Sequence, residues 1–133
     1  MRSDTQAISI DASPSKVLEL VANPENLPRW AVGFARSVRR DGEGWAVTTA
    51  GGEVRLKVEA NAAAGTVDFL ISPAPGVQAL AASRVLPRGA GSEYVFTQFQ
   101  APGMPDEAFG KSVAALVHEL KVLKALAEVE CPL

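Results

Sequence analysis

The sequence has few of the residues that metal sites and disulfides need. Its 133 residues include one cysteine, Cys131, and one histidine, His118. One cysteine cannot form an internal disulfide, and these two residues offer too few ligands for a zinc site. A domain of this length buries enough surface to fold without either device. We therefore predict a single domain over residues 1–133, without metal or cofactor, in a reducing, cytoplasmic compartment.

Long apolar runs and a strong charge of one sign are also missing. No stretch approaches the roughly 18 consecutive apolar residues of a membrane-spanning helix, and the first ten residues lack the apolar segment of a signal peptide. With 13 Lys and Arg against 15 Asp and Glu, the formal net charge is -2. Nucleic-acid binding would favour a basic face. We predict neither integral membrane association nor nucleic-acid binding.

Two helical stretches follow a first strand, which alternation predicts over residues 6–11. The first helix begins at Ser13 and Pro14, because a serine side chain can accept hydrogen bonds from the first backbone N–H groups and proline suits the first helical position. Pro24 ends this helix, since the residue before a proline is biased away from helix. One further short turn follows, and we expect Pro28 to end it.

The middle of the chain, residues 34–100, alternates between apolar and polar residues as strands do. The clearest case is Val54–Glu59, with Val54, Leu56 and Val58 on one face. Five turns separate the predicted strands: Asp41–Gly44, Gly51–Gly52, Ala62–Gly65, Pro73–Gly76 and Pro87–Gly91. Because short turns join antiparallel neighbours, these strands predict an antiparallel sheet.

The last long stretch, Pro105–Glu128, predicts an amphipathic helix about 36 Å long. Its apolar residues share one side at helical spacing: Phe109, Val113, Leu116, Val117, Leu120, Leu123 and Ala127. His118 points roughly 160–180° away from that side, so we expect it in solvent. A sheet of about seven strands with helices segregated to one face gives an α+β fold, and strand twist would curve the sheet around this helix.

The order of these elements resembles the START-like superfamily, which is also called SRPBCC. The opening likeness lies in Ile8–Pro14, Val17, Leu20, Asn23-Pro24, Leu27-Pro28, Trp30, Gly33 and Phe34; the closing likeness lies in Gly91–Thr97 and the last helix. The resemblance covers essentially the whole chain. It implies a helix-grip fold, in which a curved seven-stranded antiparallel sheet surrounds a long C-terminal helix, with two short helices between strands 1 and 2. Members include bacterial polyketide cyclase/dehydrase and lipid-transport proteins, and many bind apolar ligands between sheet and helix.

The candidates for ligand contact are side chains in phase with the interior, together with Trp30, which the resemblance implies is near the mouth of the cavity. They are Trp30, Phe34, Trp45, Val47, Leu56, Phe69, Tyr94, Phe96, Gln98, Phe109, Val113, Val117 and Leu120. Thr49 is in phase with this set, whereas we expect Arg36 to be exposed at a strand end. A buried polar group such as Gln98 needs a hydrogen-bond partner, which a neighbour, a water molecule or a ligand can supply.

Three functions remain open at this point, and we assign no catalytic residue. The favoured function is binding of a small apolar ligand of lipid, polyketide or aromatic type. The second is a cyclase or dehydratase that uses Tyr94 and Gln98 for orientation and hydrogen bonding. The third is an interaction module that forms a homodimer through Val95 and Phe99, on the strand face opposite Tyr94.

Overall fold

The computed structural model describes residues 1–133 as one sheet with three helices. The elements are β1 (Ser3–Ile10), α1 (Pro14–Ala22), a 3-10 turn (Pro24–Asn26), α2 (Leu27–Trp30), β2 (Ser37–Asp41), β3 (Gly44–Thr49), β4 (Gly52–Asn61), β5 (Thr66–Ala74), β6 (Val77–Arg88), β7 (Gly91–Phe99) and α3 (Asp106–Glu130). The sheet order is β1-β7-β6-β5-β4-β3-β2, and every neighbouring pair is antiparallel. The predicted α+β helix-grip fold is confirmed.

The connection between β1 and β2 explains where the short helices lie. These two strands are consecutive in the chain but occupy opposite edges of the sheet. The segment with α1 and α2 therefore has to cross from one edge to the other. β1 is placed by its pairing with β7, in which Ile8 lies opposite Tyr94 and Ile10 opposite Ser92. The first and last strands in the chain, β1 and β7, are thus neighbours in the sheet.

Two proline-related expectations need correction. Ser13 is the residue before α1, but its side chain makes no capping hydrogen bond; its carbonyl accepts from the N–H groups of Lys16 and Val17, at 3.1 and 3.0 Å. Pro28 does not end a turn, because it lies in the first turn of α2. Proline fits there because the backbone N–H that it lacks would have no partner within the helix.

The strand boundaries differ from the prediction at two places. β2 begins at Ser37 rather than Phe34, because the N–H groups of Phe34 and Ala35 bond to the carbonyl of Ala31 and extend a turn. β5 ends at Ala74, inside the expected break at residues 73–76, after a register shift between Ile71 and Ala74. The chain then reverses at Gly76, whose φ of 76° suits glycine.

The hydrophobic core lies between the sheet, α1 and the second half of α3. Its fully or nearly fully buried members include Val17 and Val21 of α1, Val47, Val67 and Tyr94 of the sheet, and Leu120, Leu123 and Ala127 of α3. Two buried serine hydroxyls satisfy the backbone, since Ser83 donates to Val67 O and Ser92 to Ala12 O, both at 2.7 Å. No helix is long and apolar enough to cross a lipid bilayer.

Candidate functional site

A cavity of about 430 Å³ lies between the sheet, α2 and the first half of α3. Of the 25 residues that line it, 18 are hydrophobic. The sheet contributes large side chains from four strands, among them Leu56, Ile71, Phe69 and Phe96. The loop after α2 and the segment between β7 and α3 complete the wall, so the cavity forms where the core is not filled.

Six of the predicted ligand contacts border this cavity. They are Trp30, Phe34, Leu56, Phe69, Phe96 and Gln98. Thr49 borders it as well, but its hydroxyl is engaged in a turn, where it donates to Gly52 O at 2.7 Å and accepts from the Gly51 N–H at 3.2 Å. Arg36 is exposed, as expected. Of the seven strand residues in the predicted set, alternation thus placed four at the cavity wall: Leu56, Phe69, Phe96 and Gln98.

The other seven predicted contacts do not border the cavity: Trp45, Val47, Tyr94, Phe109, Val113, Val117 and Leu120. Most of them are buried or half-buried, as their inward phase on a strand or helix predicts, but they pack away from the cavity. Val47, Tyr94 and Leu120 are packed within the core. The rings of Trp45 and Phe109 lie beneath arginine guanidinium groups, at 4.9 and 5.1 Å.

The side of α3 that faces the cavity differs from the predicted one. This wall consists of Ser112, Ala115, Leu116 and Glu119. At about 100° per residue, the centre of this group lies roughly one residue's rotation away from the predicted stripe. Val117 consequently faces solvent and is 38% exposed, and Val113 is half-buried without reaching the cavity. Ser112 and Ala115 are small, and this leaves space beside α3 that larger side chains would fill.

Glu119 borders the cavity but is not among the residues predicted from the sequence. Its side chain is 7% exposed, and its Oε2 accepts a hydrogen bond from the Gly33 N–H at 3.0 Å. Burial raises the pKa of Glu119 from 4.5 to about 7, although the backbone N–H groups of Gly33 and Phe34 pull it back towards the ionised form. A clue was present in the sequence, because Glu119 lies about one helical turn from both Leu116 and Leu123, at the edge of the apolar side.

Gly33 allows this contact between the loop and α3. A Cβ atom at residue 33 would lie 3.1 Å from Ala115 Cβ and 3.2 Å from Glu119 Oε2, closer than side chains normally approach. Glycine therefore lets the loop after α2 reach the helix and donate its N–H to the carboxyl group. The same contact places Phe34 at the wall of the cavity.

Three buried polar atoms near the cavity have no hydrogen-bond partner: Trp30 Nε1, Gln98 Nε2 and Tyr94 Oη. Burial raises the pKa of Tyr94 above its usual range, and the neighbouring Ser83 hydroxyl offsets this only in part. Tyr94 packs edge-on against Trp30, with ring centroids 6.4 Å apart. Of the three residues, only Trp30 and Gln98 also border the cavity.

The residues with familiar catalytic chemistry lie elsewhere. His118 is exposed on the outer side of α3, as predicted. Cys131 is half-buried against the core, and its N–H donates to Ala127 O at 2.8 Å. No group of three or more His, Cys, Asp or Glu side chains is placed to hold a metal ion. The chemistry of the site therefore rests on one carboxyl group, one amide and aromatic walls.

Residues 1–129 match the sequence profile of a family described as polyketide cyclase / dehydrase and lipid transport. The chain belongs to this family. The match spans nearly the whole chain and confirms the predicted START-like membership, and with it the ligand-binding type of fold. No curated protein sequence matches the chain.

Solved structures agree on the fold at low sequence identity. XoxI from Bacillus cereus is 21% identical with a TM-score of 0.77, and the alignment covers 96% of each chain. The ZhuI aromatase/cyclase from Streptomyces sp. R1128 is 19% identical with a TM-score of 0.72, covering 96% of this chain and 93% of that one. The Aha1 dimer from Colwellia psychrerythraea is 19% identical with a TM-score of 0.72, covering 97% and 98%.

Proposed function

We propose that this protein binds a small, largely apolar molecule, of lipid, polyketide or aromatic type, in the cavity between the sheet and α3. The observation that carries the proposal is the cavity itself, about 430 Å³ with 18 hydrophobic residues among its 25. Ligand pockets in proteins occupy roughly 300–1,000 Å³ and are mostly apolar with a few polar groups. A volume near the lower end of this range suits a compound of two or three rings better than a long-chain lipid.

The proposed contacts follow from the lining of the cavity. Phe34, Phe69 and Phe96 supply apolar walls, and Gln98 supplies a polar group that can orient the ligand. A buried donor without a partner costs about 1–3 kcal/mol, so a ligand acceptor that satisfies the Gln98 amide would gain affinity. The location that we propose, from the single cysteine, is the cytoplasm.

The two alternatives have less support. A cyclase-type mechanism that uses Tyr94 would need access to its hydroxyl, but Tyr94 is fully buried and does not border the cavity. A homodimer through an exposed Phe99 is weakened because Phe99 borders the cavity. The related Aha1 structure is a dimer, so a homodimer through other residues remains testable by light scattering, where a monomer at high concentration would contradict it.

Two adjacent alanines of α3 provide a matched test. Ala115 lines the cavity, whereas Ala114 is exposed. Calorimetric titration with a neutral two-ring probe, 1-naphthalenemethanol, should show binding to the wild type and to Ala114→Leu. Ala115→Leu should weaken binding at least tenfold, because the added side chain occupies the space of the ligand. Equal affinity in both variants, or no binding to the wild type, would contradict the proposal.

A further inference from the structure

The lining of the cavity has one ionisable side chain. Glu119 is the only Asp, Glu, Lys, Arg, His, Cys or Tyr among the 25 lining residues. The remaining polar side chains of the wall, Thr49, Gln98 and Ser112, are neutral, and Trp30 adds an indole N–H. A ligand in this cavity therefore meets a single negative charge, or a neutral carboxyl group, and no positive charge.

The elements that pack against α3 do not supply a counter-charge to Glu119. These elements are β1, α1 and α2. Their charged groups have other partners: Arg2 pairs with Asp106, Asp4 accepts from Gln6, Lys16 pairs with Glu19, and Arg29 pairs with Glu130. On α3 itself, Lys111 pairs with Glu107 and Lys124 with Glu128, while His118 and Lys121 are exposed. The carboxyl group of Glu119 thus accepts the Gly33 N–H and has no cation beside it.

The walls around this carboxyl group are rich in aromatic faces. Trp30, Phe34, Phe69, Phe96 and Phe99 all border the cavity. Aromatic faces attract cations, with the strongest attraction where water is excluded. They also pack well against a planar ring system. Carboxyl group and aromatic walls therefore favour the same ligand chemistry, a cation attached to a ring.

We propose that the ligand is a small ring compound with a protonated amine, which donates a hydrogen bond to Glu119 while its rings pack against the aromatic walls. The same arrangement excludes anions such as fatty acids, other carboxylates and phosphate esters. This inference rests on the proposed function, since it names the chemical class of the ligand that the cavity binds.

The physical reason is the desolvation of the carboxylate. Glu119 is removed from water without a cationic partner, which disfavours its ionised form. An ammonium group would supply the missing charge and a strong, charge-assisted hydrogen bond. An anionic ligand would instead place a second negative charge beside the first, or force Glu119 to remain protonated. A neutral ligand would bind through its rings alone.

Three probes that share one ring system separate these cases: 1-naphthylmethylamine, 1-naphthalenemethanol and 1-naphthoic acid. In calorimetric titrations at pH 8, we expect the amine to bind roughly ten- to hundredfold more tightly than the acid. The affinity for the amine should fall as the pH is lowered through about 7, where Glu119 takes up a proton. The amine itself stays protonated over that range.

Substitution of the carboxyl group gives the decisive comparison. Glu119→Gln should remove the preference for the amine over the acid, and its pH dependence, while the alcohol still binds. Glu107→Gln, at an exposed position of the same helix, should behave like the wild type. The inference is overturned if the acid binds as well as the amine, or if Glu119→Gln leaves the amine affinity unchanged. Binding of the alcohol in that case would leave the proposed function standing, and no binding of any probe would overturn both.

Discussion

The two parts of α3 hold a carboxyl group in opposite ways. At the end of the first part of α3, which runs from Asp106 to Glu119 and borders the cavity, Glu119 is buried, accepts the Gly33 N–H at 3.0 Å and has a pKa raised by burial to about 7. In the second part, Glu128 accepts from Lys124 Nζ and from the Asp11 N–H at 2.8 Å, and these contacts lower its pKa. Both carboxyl groups accept a backbone N–H. Their pKa values differ because Glu128 has a cation beside it, Lys124, whereas Glu119 is buried away from water. The first part of α3 therefore borders the site, and the second part anchors the helix to the core.

Packing divides the helix in the same place. Leu123 and Ala127 are 0% and 1% exposed and belong to the core. Ser112 and Ala115 are only partly buried and border the cavity. A void forfeits the dispersion contacts that a packed interior would make. We therefore expect the second part to carry most of the stability that α3 contributes, and the first part to carry the binding properties.

The largest expected effect is the loss of a core side chain. Leu123→Ala should lower the free energy of unfolding by about 3–4 kcal/mol, because it removes a fully packed side chain and leaves a new void. Leu116→Ala should cost about half as much, because Leu116 already borders the cavity. Urea denaturation of both variants measures the difference. Equal costs would contradict the division of α3 into a site and an anchor.

The next effect is the pH dependence that Glu119 causes. Its pKa is about 7 when folded and 4.5 as an ordinary value, so the folded state binds more protons between these values. Its contribution to stability is therefore full below pH 4.5 and is lost as the pH rises to about 7. The loss is on the order of 3 kcal/mol.

We expect Glu119→Gln to be more stable than the wild type at pH 8, because glutamine can still accept the Gly33 N–H without a charge. The advantage should shrink towards zero by about pH 5, where the wild-type carboxyl group is largely protonated. Denaturation curves between pH 5 and 8 measure this, with Glu107→Gln as the control. Parallel pH profiles for the wild type and Glu119→Gln would show that Glu119 is not desolvated.

The sheet was more predictable from the sequence than the cavity. Alternation and glycine turns located the seven strands, because both depend on local chemistry. Leu56, Phe69 and Phe96 were placed at the inner surface for the same reason. The long helix was also located, but hydrophobic periodicity selects the side that packs tightly, with residues such as Leu120 and Leu123.

The side of α3 that faces a void follows a different rule, which periodicity does not detect. Ser112 and Ala115 are small, so they leave space beside the helix. Glu119 is buried at this wall because the Gly33 N–H, in a distant loop, donates a hydrogen bond to its carboxyl group. Gly33 lies 86 positions earlier in the chain. Long-range contacts of this kind leave no local pattern in the sequence. Periodicity therefore predicts that Val113 and Val117, rather than Ser112, Ala115 and Glu119, face the cavity.

A smaller effect is expected at Gly33, which joins the loop to Glu119. Gly33→Ala should cost about 1–2 kcal/mol, because the new Cβ would press against Ala115 and the Glu119 carboxyl group. Gly110→Ala is the matched control, since a Cβ there meets nothing within 4 Å and α3 should gain about 0.5–1 kcal/mol of helix propensity. Thermal unfolding of the two variants should therefore shift in opposite directions. A neutral Gly33→Ala would show that the loop is free to move away.

The smallest effect is at Glu128, and its sign is opposite to that at Glu119. The pKa of Glu128 is lowered from 4.5 by Lys124 and the Asp11 N–H, so its contribution to stability is present above pH 4.5 and is lost as the pH falls below that value. Glu128→Gln should cost roughly 0.5 kcal/mol at pH 7, because the helical ion pair is partly exposed, and less in high salt. Denaturation at pH 3 and pH 7 measures this, and the cost should disappear at the lower pH. If Glu128→Gln instead gained stability with rising pH, as Glu119→Gln should, the cation at Lys124 would not be what separates the two carboxyl groups.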